Sequence, residues 1–430
     1  MHKIEIVATN HEGMGIGYID TKVIFVLGAV EGDFADVKIT KTYPNYYEGE
    51  VLKILDPSDI REKPSCPLFL NCGGCQFLNV KYQEETKIKK ELAVSTIEKF
   101  SGLTLPDPVF FEAKEPFYRN KIELSFQDGK LGFFKRKTHF VLNIGDCIFI
   151  DSVFREIIRD LQAMKLDSYS EETKKGIYKD VVFRKNTHGD VLINFLVSRF
   201  DEKIKETVAY LVNRHKAIKG VIISVTKELQ NRQMADEEHL LFGDDYLLET
   251  VDKTVYKINY QAFFQVNTEM HKIMLREVKK FLGEDTKNVT VVDLYSGVGA
   301  FSCYLAPFVY KVIGIELNRR AYFSSIENGK LNSLKNVEFI NARVEEAIKN
   351  LDLTNKIVII DPPRKGIPEE SVNLINNLRP SKIIYVSCND ATLGRDLKLF
   401  KNYIVKKHTI IDMFPRTTKT ESVMLLERRN

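Results

Sequence analysis

The sequence predicts an α/β protein whose C-terminal third is a Rossmann-like, doubly wound parallel sheet. A small N-terminal β-barrel of oligonucleotide-binding type precedes it, with a mixed α/β region between the two. Three observations carry this reading. In the C-terminal third, apolar runs of strand type (VTVVDLY, KVIGIEL, VEFINA, KIVIIDPP and KIIYVSC) alternate with helical stretches, the pattern of parallel strands covered by helices on both faces. Residues 1–57 hold short alternating segments separated by turns, which suits a small barrel. Between these regions, cysteines gather around one short segment. The implied division is 1–58, 59–262 and 263–430, and a chain of 430 residues with 44% hydrophobic composition can bury more than one core.

Taken in order, KIEIVA and ADVKITK alternate, IGYIDTKVIFVLG runs around a turn, and GEVLKIL closes the first set before Pro57. From Tyr82 to Phe100, the residues Ile88, Leu92, Ile97 and Phe100 fall on one helical face. RNKIELSFQDGKLGFFKRKTHFVLNI reads as a hairpin turning at Asp128–Gly129. VVFRK, DVLINFLVS and GVIISVT extend the α/β region to about Tyr260. After the parallel strands, YIVKKHTIIDMF and TESVMLLER form an antiparallel pair that finishes the sheet.

Composition removes several classes. No stretch approaches the roughly eighteen apolar residues of a membrane span, and MHKIEIVATNHEG has no apolar core of a signal peptide. The expected compartment is the cytoplasm, with no membrane partner. Net charge is 63 − 59 = +4, too small to identify a polyanion partner by itself. Its distribution says more. Residues 1–60 hold five lysines against ten acids, whereas residues 361–430 hold thirteen basic against eight acidic side chains. Between Lys114 and Lys137 seven basic and three acidic residues interleave with Phe117, Tyr118, Phe126, Phe133 and Phe134. Basic groups that neutralise phosphate beside aromatic faces that stack on bases suit RNA; a half-buried hairpin with a solvated charged face would show the same pattern.

Six cysteines in a chain with no export signal point to metal or catalysis rather than to disulfides. Cys66, Cys72 and Cys75 are spaced Cys-x5-Cys-x2-Cys in SCPLFLNCGGCQF, and Cys147 follows in IGDCIF. Four thiolates can close around an iron–sulfur centre, and zinc would satisfy the same count. Gly73–Gly74 lets the backbone fold tightly enough to aim two of them inwards. Cys303 lies in an apolar helical pattern and reads as a core residue.

VVDLYSGVGAF sets Asp293, Gly297 and Gly299 between a first strand and a helix, and Glu316 ends the second strand in VIGIEL. A glycine-rich loop followed about twenty residues later by an acid occurs in both NAD and S-adenosylmethionine folds. The fourth strand decides between them: IIDPPRKG ends in an acid and a stiff Pro-Pro loop beside the cofactor pocket, which fits a methyltransferase. YVSCNDATLGRDL then places Cys388 at the end of the fifth strand, before a helix capped by Asn389 or Asp390. A thiol at a helix N-terminus is expected to ionise more easily.

These residues together resemble the RNA uracil-C5 methyltransferases that carry a TRAM domain and a 4Fe–4S cluster, in particular the branch acting on 23S ribosomal RNA. The resemblance runs from the barrel to Glu421. It rests on the four cysteines, FFQVN at Phe263–Asn267, DLYSGVG, DPPRKG, VSCN and TESV. It implies that Cys66, Cys72, Cys75 and Cys147 hold the cluster, in a structural role. Gln265, Tyr295, Glu316, Asn341 and Asp361 would line the S-adenosylmethionine site, with Cys388 as nucleophile and Glu421 as general base. The enzyme would act as a monomer on 23S rRNA, with a tRNA uridine as the alternative substrate. Two departures stand out: Ala300 replaces an asparagine frequent in the family, and the TRAM-like segment is acidic.

The chemistry explains the residue set. C5 of neutral uracil is a poor nucleophile. Addition of a thiolate to C6 makes the ring an enolate, C5 takes the methyl group, and a base removes the C5 proton so that the thiolate leaves. The base must first leave its stack. The rivals are a nitrogen methyltransferase, which needs no thiol, and a cytosine-C5 enzyme, whose cysteine typically follows proline at the fourth strand. An RNA-binding assembly factor and an iron–sulfur redox protein are the non-methylating alternatives.

Overall fold

The computed structural model describes residues 1–113, 118–145, 147–226 and 235–429. At the N-terminus, strands His2–Glu5, Ala8–Thr9, Gly15–Ile19, Lys22–Leu27, Phe34–Thr42 and Tyr46–Asp56 form one sheet. Alternate residues point inwards, so Ile4, Ile6, Ile24, Val26, Ala35 and Val37 make its core. The sheet curls on itself at Gly17. A Cβ there would lie 2.6 Å from Ile4 Cγ2 and 2.8 Å from the Glu5 carbonyl oxygen, so only glycine allows the third strand to meet the first.

The central sheet has seven strands in the order Val141–Asn143, Lys130–Phe134, Lys121–Gln127, Tyr178–Lys185, Val191–Val197, Ile218–Val225 and Glu237–Gly243. One pair, Val191–Val197 with Ile218–Val225, is parallel, and the helix Lys203–Arg214 makes its crossover. That helix and Ser152–Ala163 bury Ile204, Val208, Leu211, Phe154 and Ile157 against Leu124, Phe183 and Ile193. The hairpin turns where expected, with Asp128 at φ 51° and Gly129 at φ 71°, the conformation of a two-residue hairpin loop.

The third sheet carries the parallel core. Its order is Val337–Asn341, Lys311–Glu316, Thr290–Leu294, Ile357–Ile360, Lys382–Ser387, Glu421–Arg428, Tyr403–Ile411 and Val109–Phe111. The first five are mutually parallel, and the C-terminal pair is antiparallel, as its sequence suggested. Apolar strand residues bury on both faces of this sheet, in two cores.

Three pieces from before residue 263 complete this unit. Strand Val109–Phe111 pairs with the edge strand Tyr403–Ile411. Helix Tyr82–Ser101 buries Ile97 with Leu393 and Leu397, and at Gly394 a Cβ would lie 2.7 Å from the Ile97 carbonyl oxygen. From the hairpin Tyr246–Val251 and Thr254–Asn259, Tyr256 enters the core, and its hydroxyl donates to the Ala300 carbonyl at 2.8 Å. Packing therefore crosses the 262/263 division that the sequence pattern suggested. Among the described residues, no helix is long and apolar enough to cross a membrane.

Candidate functional site

Strand order reverses between Thr290–Leu294 and Ile357–Ile360, which opens a crevice at the carboxyl ends of the strands. The registers fix what stands there. Leu294 pairs with both Ile315 and Ile360, and Glu316 pairs with Asn341. One residue beyond Leu294, the residues Asn341, Glu316, Tyr295 and Asp361 therefore form a single row across the sheet. Gln265 is buried on a separate loop, where its backbone carbonyl accepts from Asn120 Nδ2 at 3.0 Å; Asn267 caps the helix Thr268–Leu282 that follows.

Within the row the side chains do different things. The Glu316 carboxylate accepts from the backbone N–H of Gly297 at 2.9 Å and of Asn318 at 2.6 Å, so it is already oriented towards the glycine loop. Asn341 Nδ2 donates to the carbonyls of Glu316 and Leu317 at 2.8 and 3.0 Å and braces that strand end. Tyr295 has φ 62°, a left-handed backbone that costs a tyrosine energy and recurs at functional turns. Its buried hydroxyl lies near Ser371 but makes no hydrogen bond of normal geometry.

Asp293 is fully buried beneath the loop. It accepts from Ser302 N at 3.1 Å and Ser302 Oγ at 2.6 Å, while its Oδ1, like the buried Ser296 Oγ, has no partner among the described residues. Burial, with Glu316 adding, pushes its carboxyl up to about 7. Unpartnered polar atoms at Asp293, Tyr295 and Ser296, facing a turn with Gly297 and Gly299 at positive φ, fit a polar cofactor lying across the strand ends.

Cys388 lies beyond this row. Ser387 pairs with Ser422 in an antiparallel register, so continuing by one residue sets Cys388 opposite Glu421. Asn389 caps the helix Asp390–Leu399, its side chain accepting from Thr392 N at 3.2 Å. The expected lowering of the thiol is not what results. Burial first, then the carboxylates of Glu421 and Asp361, push Cys388 up to about 11, against the Arg364 guanidinium, which lowers it. Desolvation and acid charge set the direction here.

Glu421 is 4% exposed. Burial pushes its carboxyl well above the usual range, helped by Asp361 and Asp390 and opposed by Arg364. Asp361 is pushed up to about 7 by burial and by Asp293, and Asp390 to about 6 by burial against Lys419. Carboxyl groups raised by burial beside a thiol are suited to taking and giving protons. Arg364 is the functional candidate that the sequence reading quoted within DPPRKG without assigning. Its loop is latched to the start of the helix after Cys388: the Arg364 carbonyl accepts from Asn389 Nδ2 at 3.3 Å and Thr392 Oγ1 at 3.1 Å. A cation directly after Pro362–Pro363 was the only signal.

Cys66, Cys72, Cys75 and Cys147 line one cavity of about 500 Å³, walled by Phe69, Leu78, Phe133 and Phe149, with Arg119 beside them. The thiols feel one another: burial and then Cys147 push Cys75 up to about 12, and burial raises Cys72 with a contribution from Cys66. Among the described residues, no group of three or more His, Cys, Asp or Glu side chains has the geometry to hold a metal ion. Cys303 is buried in the core, as expected.

The cysteine segment docks on the loop that leads to Glu421. Gln76 N and Phe77 N both donate to the Arg416 carbonyl, at 2.9 and 3.1 Å, and Arg416 has φ 66°. The same loop is anchored by a buried network. Lys89 donates to Glu85 at 3.0 Å, Asp412 at 2.7 Å and the Phe414 carbonyl at 3.0 Å, and Tyr82 donates to Asp412 at 2.7 Å.

In the hairpin expected as an RNA surface, several aromatic rings are taken up by packing. Tyr118 and Phe126 are buried, Phe133 packs on the central core, and Phe134 meets His139 edge-on. Lys137 pairs with Glu12 and Glu48 at 3.7 and 3.6 Å, and Arg136 reaches the Glu12 carbonyl. The acidic barrel thus serves as a dock for this hairpin. Lys114 and Phe117 lie outside the described residues.

The reversal crevice, the glycine turn and the carboxylate row define an α/β methyltransferase domain of the S-adenosylmethionine type behind a β-rich N-terminal region. Comparison with known proteins gives the family. A family model described as tRNA (Uracil-5-)-methyltransferase matches residues 81–429, starting where the helix on the catalytic sheet starts, and one described as TRAM domain matches residues 3–52. The chain belongs to the tRNA (uracil-5-)-methyltransferase family and is an RNA (uracil-C5-)-methyltransferase. An uncharacterized RNA methyltransferase of Caldanaerobacter subterraneus is 33% identical, covering 99% of this chain and 98% of its own. Another, from Halalkalibacterium halodurans, is 30% identical over 100% of this chain and 97% of its own. The crystal structure of Pyrococcus abyssi tRNA (uracil-54, C5)-methyltransferase, in complex with S-adenosyl-L-homocysteine, superposes with a TM-score of 0.80, covering 99% of this chain and all (100%) of that one at 23% identity.

Proposed function

We propose that the protein methylates C5 of a uridine in structured RNA, with Cys388 as nucleophile and Glu421 as general base. The observation that carries this reading is the register that sets Cys388 opposite Glu421 beside the row of Tyr295, Glu316, Asn341 and Asp361. S-adenosylmethionine, when bound, supplies an electrophilic methyl group. Glu316 is placed to accept ribose hydroxyls, Tyr295 and Gln265 wall the pocket, Asn341 fixes Glu316, and Asp361 bridges towards the uracil. Cys388 adds to C6 as thiolate, and Arg364 stabilises that charge. Once C5 is methylated, Glu421 takes its proton and the C6–sulfur bond breaks. RNA containing 5-fluorouridine tests this: it should trap a covalent complex with the wild type and none with Cys388→Ala.

For the substrate, the family description and the Pyrococcus enzyme both name tRNA, and they support a tRNA uridine better than the 23S rRNA site expected from sequence. The 23S reading keeps its own support in the TRAM and four-cysteine motif set. Mass spectrometry of methyluridine in tRNA and rRNA from a deletion strain separates the two. The same proposal assigns a structural 4Fe–4S cluster to Cys66, Cys72, Cys75 and Cys147, since four thiols share one largely apolar cavity. Iron and sulfide analysis tests it, with zinc as the contrary result.

A further inference from the structure

A cavity of about 380 Å³ opens at Cys388, and most of its lining takes no part in the chemistry described above. That volume falls within the range of small-ligand pockets, roughly 300–1,000 Å³. Four parts of the chain wall it. His11 comes from the barrel, Thr96, Lys99 and Phe100 from the helix Tyr82–Ser101, Asn389–Ala391 from the helix start after the nucleophile, and Thr418–Thr420 from the segment before Glu421. His11 Nε2 is 2.9 Å from Thr96 Oγ1, which ties the barrel to the catalytic unit at this rim.

The chemistry of the lining is specific. Lys99 and Lys419 are exposed, and both act electrostatically on His11, so three basic groups face one space. Asp390 is the acid among them, and Lys419 offsets it. Phe100 is 47% exposed at the helix end, where Gly102 at φ 69° turns the chain away. An exposed aromatic face in a space lined by two lysines matches a nucleotide, with a surface for the base and charge for the phosphate.

We propose that this cavity is a second nucleotide subsite, holding the nucleotide next to the target uridine. Its base stacks on Phe100, its phosphate lies between Lys99 and Lys419, and His11 hydrogen-bonds the base edge or ribose. The inference rests on the target uridine reaching Cys388. A uridine drawn out of its stack leaves its neighbour without a stacking partner, and a protein ring at that position replaces it. The barrel, acidic overall, would contribute through His11 rather than through bulk charge.

The test uses the full chain, total RNA from a deletion strain, and an oligonucleotide spanning the mapped site with each neighbouring nucleotide either natural or abasic. Lys99→Ala and Lys419→Ala should each raise KM for RNA about fivefold and reduce the salt slope of binding by about 0.7. Phe100→Ala should raise KM about tenfold with the natural oligonucleotide and barely at all with one of the abasic versions. S-adenosylmethionine affinity by calorimetry should stay at the wild-type value, which shows the variants are folded. Adduct formation with 5-fluorouridine RNA by all variants, with unchanged KM and salt slope, overturns the subsite alone. Absence of any adduct with the wild type overturns the Cys388 reading and the subsite with it.

Discussion

Replacing Arg364 by glutamine should push the Cys388 thiol further from ionisation. The guanidinium is the cation that counters Glu421 and Asp361 at this sulfur. Two unit charges about 4 Å apart interact by roughly 1 kcal/mol at the dielectric of water and by roughly 4 kcal/mol at an effective value near 20. Arg364 is solvent-exposed, so the lower part of that range applies. A loss of about 1.4 kcal/mol is one decade in thiolate population. Iodoacetamide alkylation of Cys388, followed by peptide mass spectrometry because the chain holds six cysteines, reads that population directly. At about pH 8 the Arg364→Gln rate should fall about tenfold, with the curve displaced to higher pH. Glu421→Gln removes the carboxyl that raises the thiol when ionised, and should move the curve the opposite way above the pH at which that buried carboxyl loses its proton. Equal alkylation profiles for wild type and Arg364→Gln would refute the electrostatic assignment, whatever the effect on methylation.

Three further outcomes are expected. Glu421→Gln should lower methylation by about 10²–10⁴-fold while a Cys388–RNA complex accumulates on denaturing gels; a slow variant without accumulation would move the base elsewhere. Lys89→Met leaves Asp412 buried without its lysine and Glu85 with only Arg416, at 3.5 Å, and should cost about 3–5 kcal/mol in urea unfolding; a cost below about 1 kcal/mol would mean the network is not holding the loop. For Asp293, a folded-state value near 7 against 3.8 means that between those pH values the folded chain holds a proton that the unfolded chain lacks. Its contribution is full at low pH and is lost as pH rises through about 7. Asp293→Asn should therefore gain stability relative to wild type between pH 5 and pH 8 in thermal melts, and a constant difference would contradict the buried, protonated assignment.

What the sequence showed and what it hid follow from the range of the interactions. The parallel strands were legible because each is a continuous apolar run buried on both faces, and the row Tyr295, Glu316, Asn341 and Asp361 follows once those runs are aligned. Strand Val109–Phe111 was missed. Its three residues carry too little periodicity, and it becomes a strand only because the edge of Tyr403–Ile411 is there to pair with. The direction of the Cys388 shift was misjudged for a related reason. The helix dipole is visible locally, whereas Glu421, Asp361 and Arg364 converge on the thiol only through the fold. The basic hairpin was read from charge and aromatic content, which do not reveal that Tyr118, Phe126 and Phe133 pack inwards and that Lys137 faces Glu12 and Glu48.

The Arg416 carbonyl, which receives Gln76 N and Phe77 N, sets a schedule for biosynthesis. All four clustered cysteines have been translated by residue 147, yet the peptide group on which their segment docks arrives 416 − 147 = 269 residues later. At roughly 5–20 residues per second, that interval is about 13–54 s. During it the nascent chain holds the four thiols and the residues that wall their cavity, all within 66–150, without the Arg416 carbonyl on which the segment later docks. The cysteine segment therefore reaches its final seat only after the C-terminal loop has emerged.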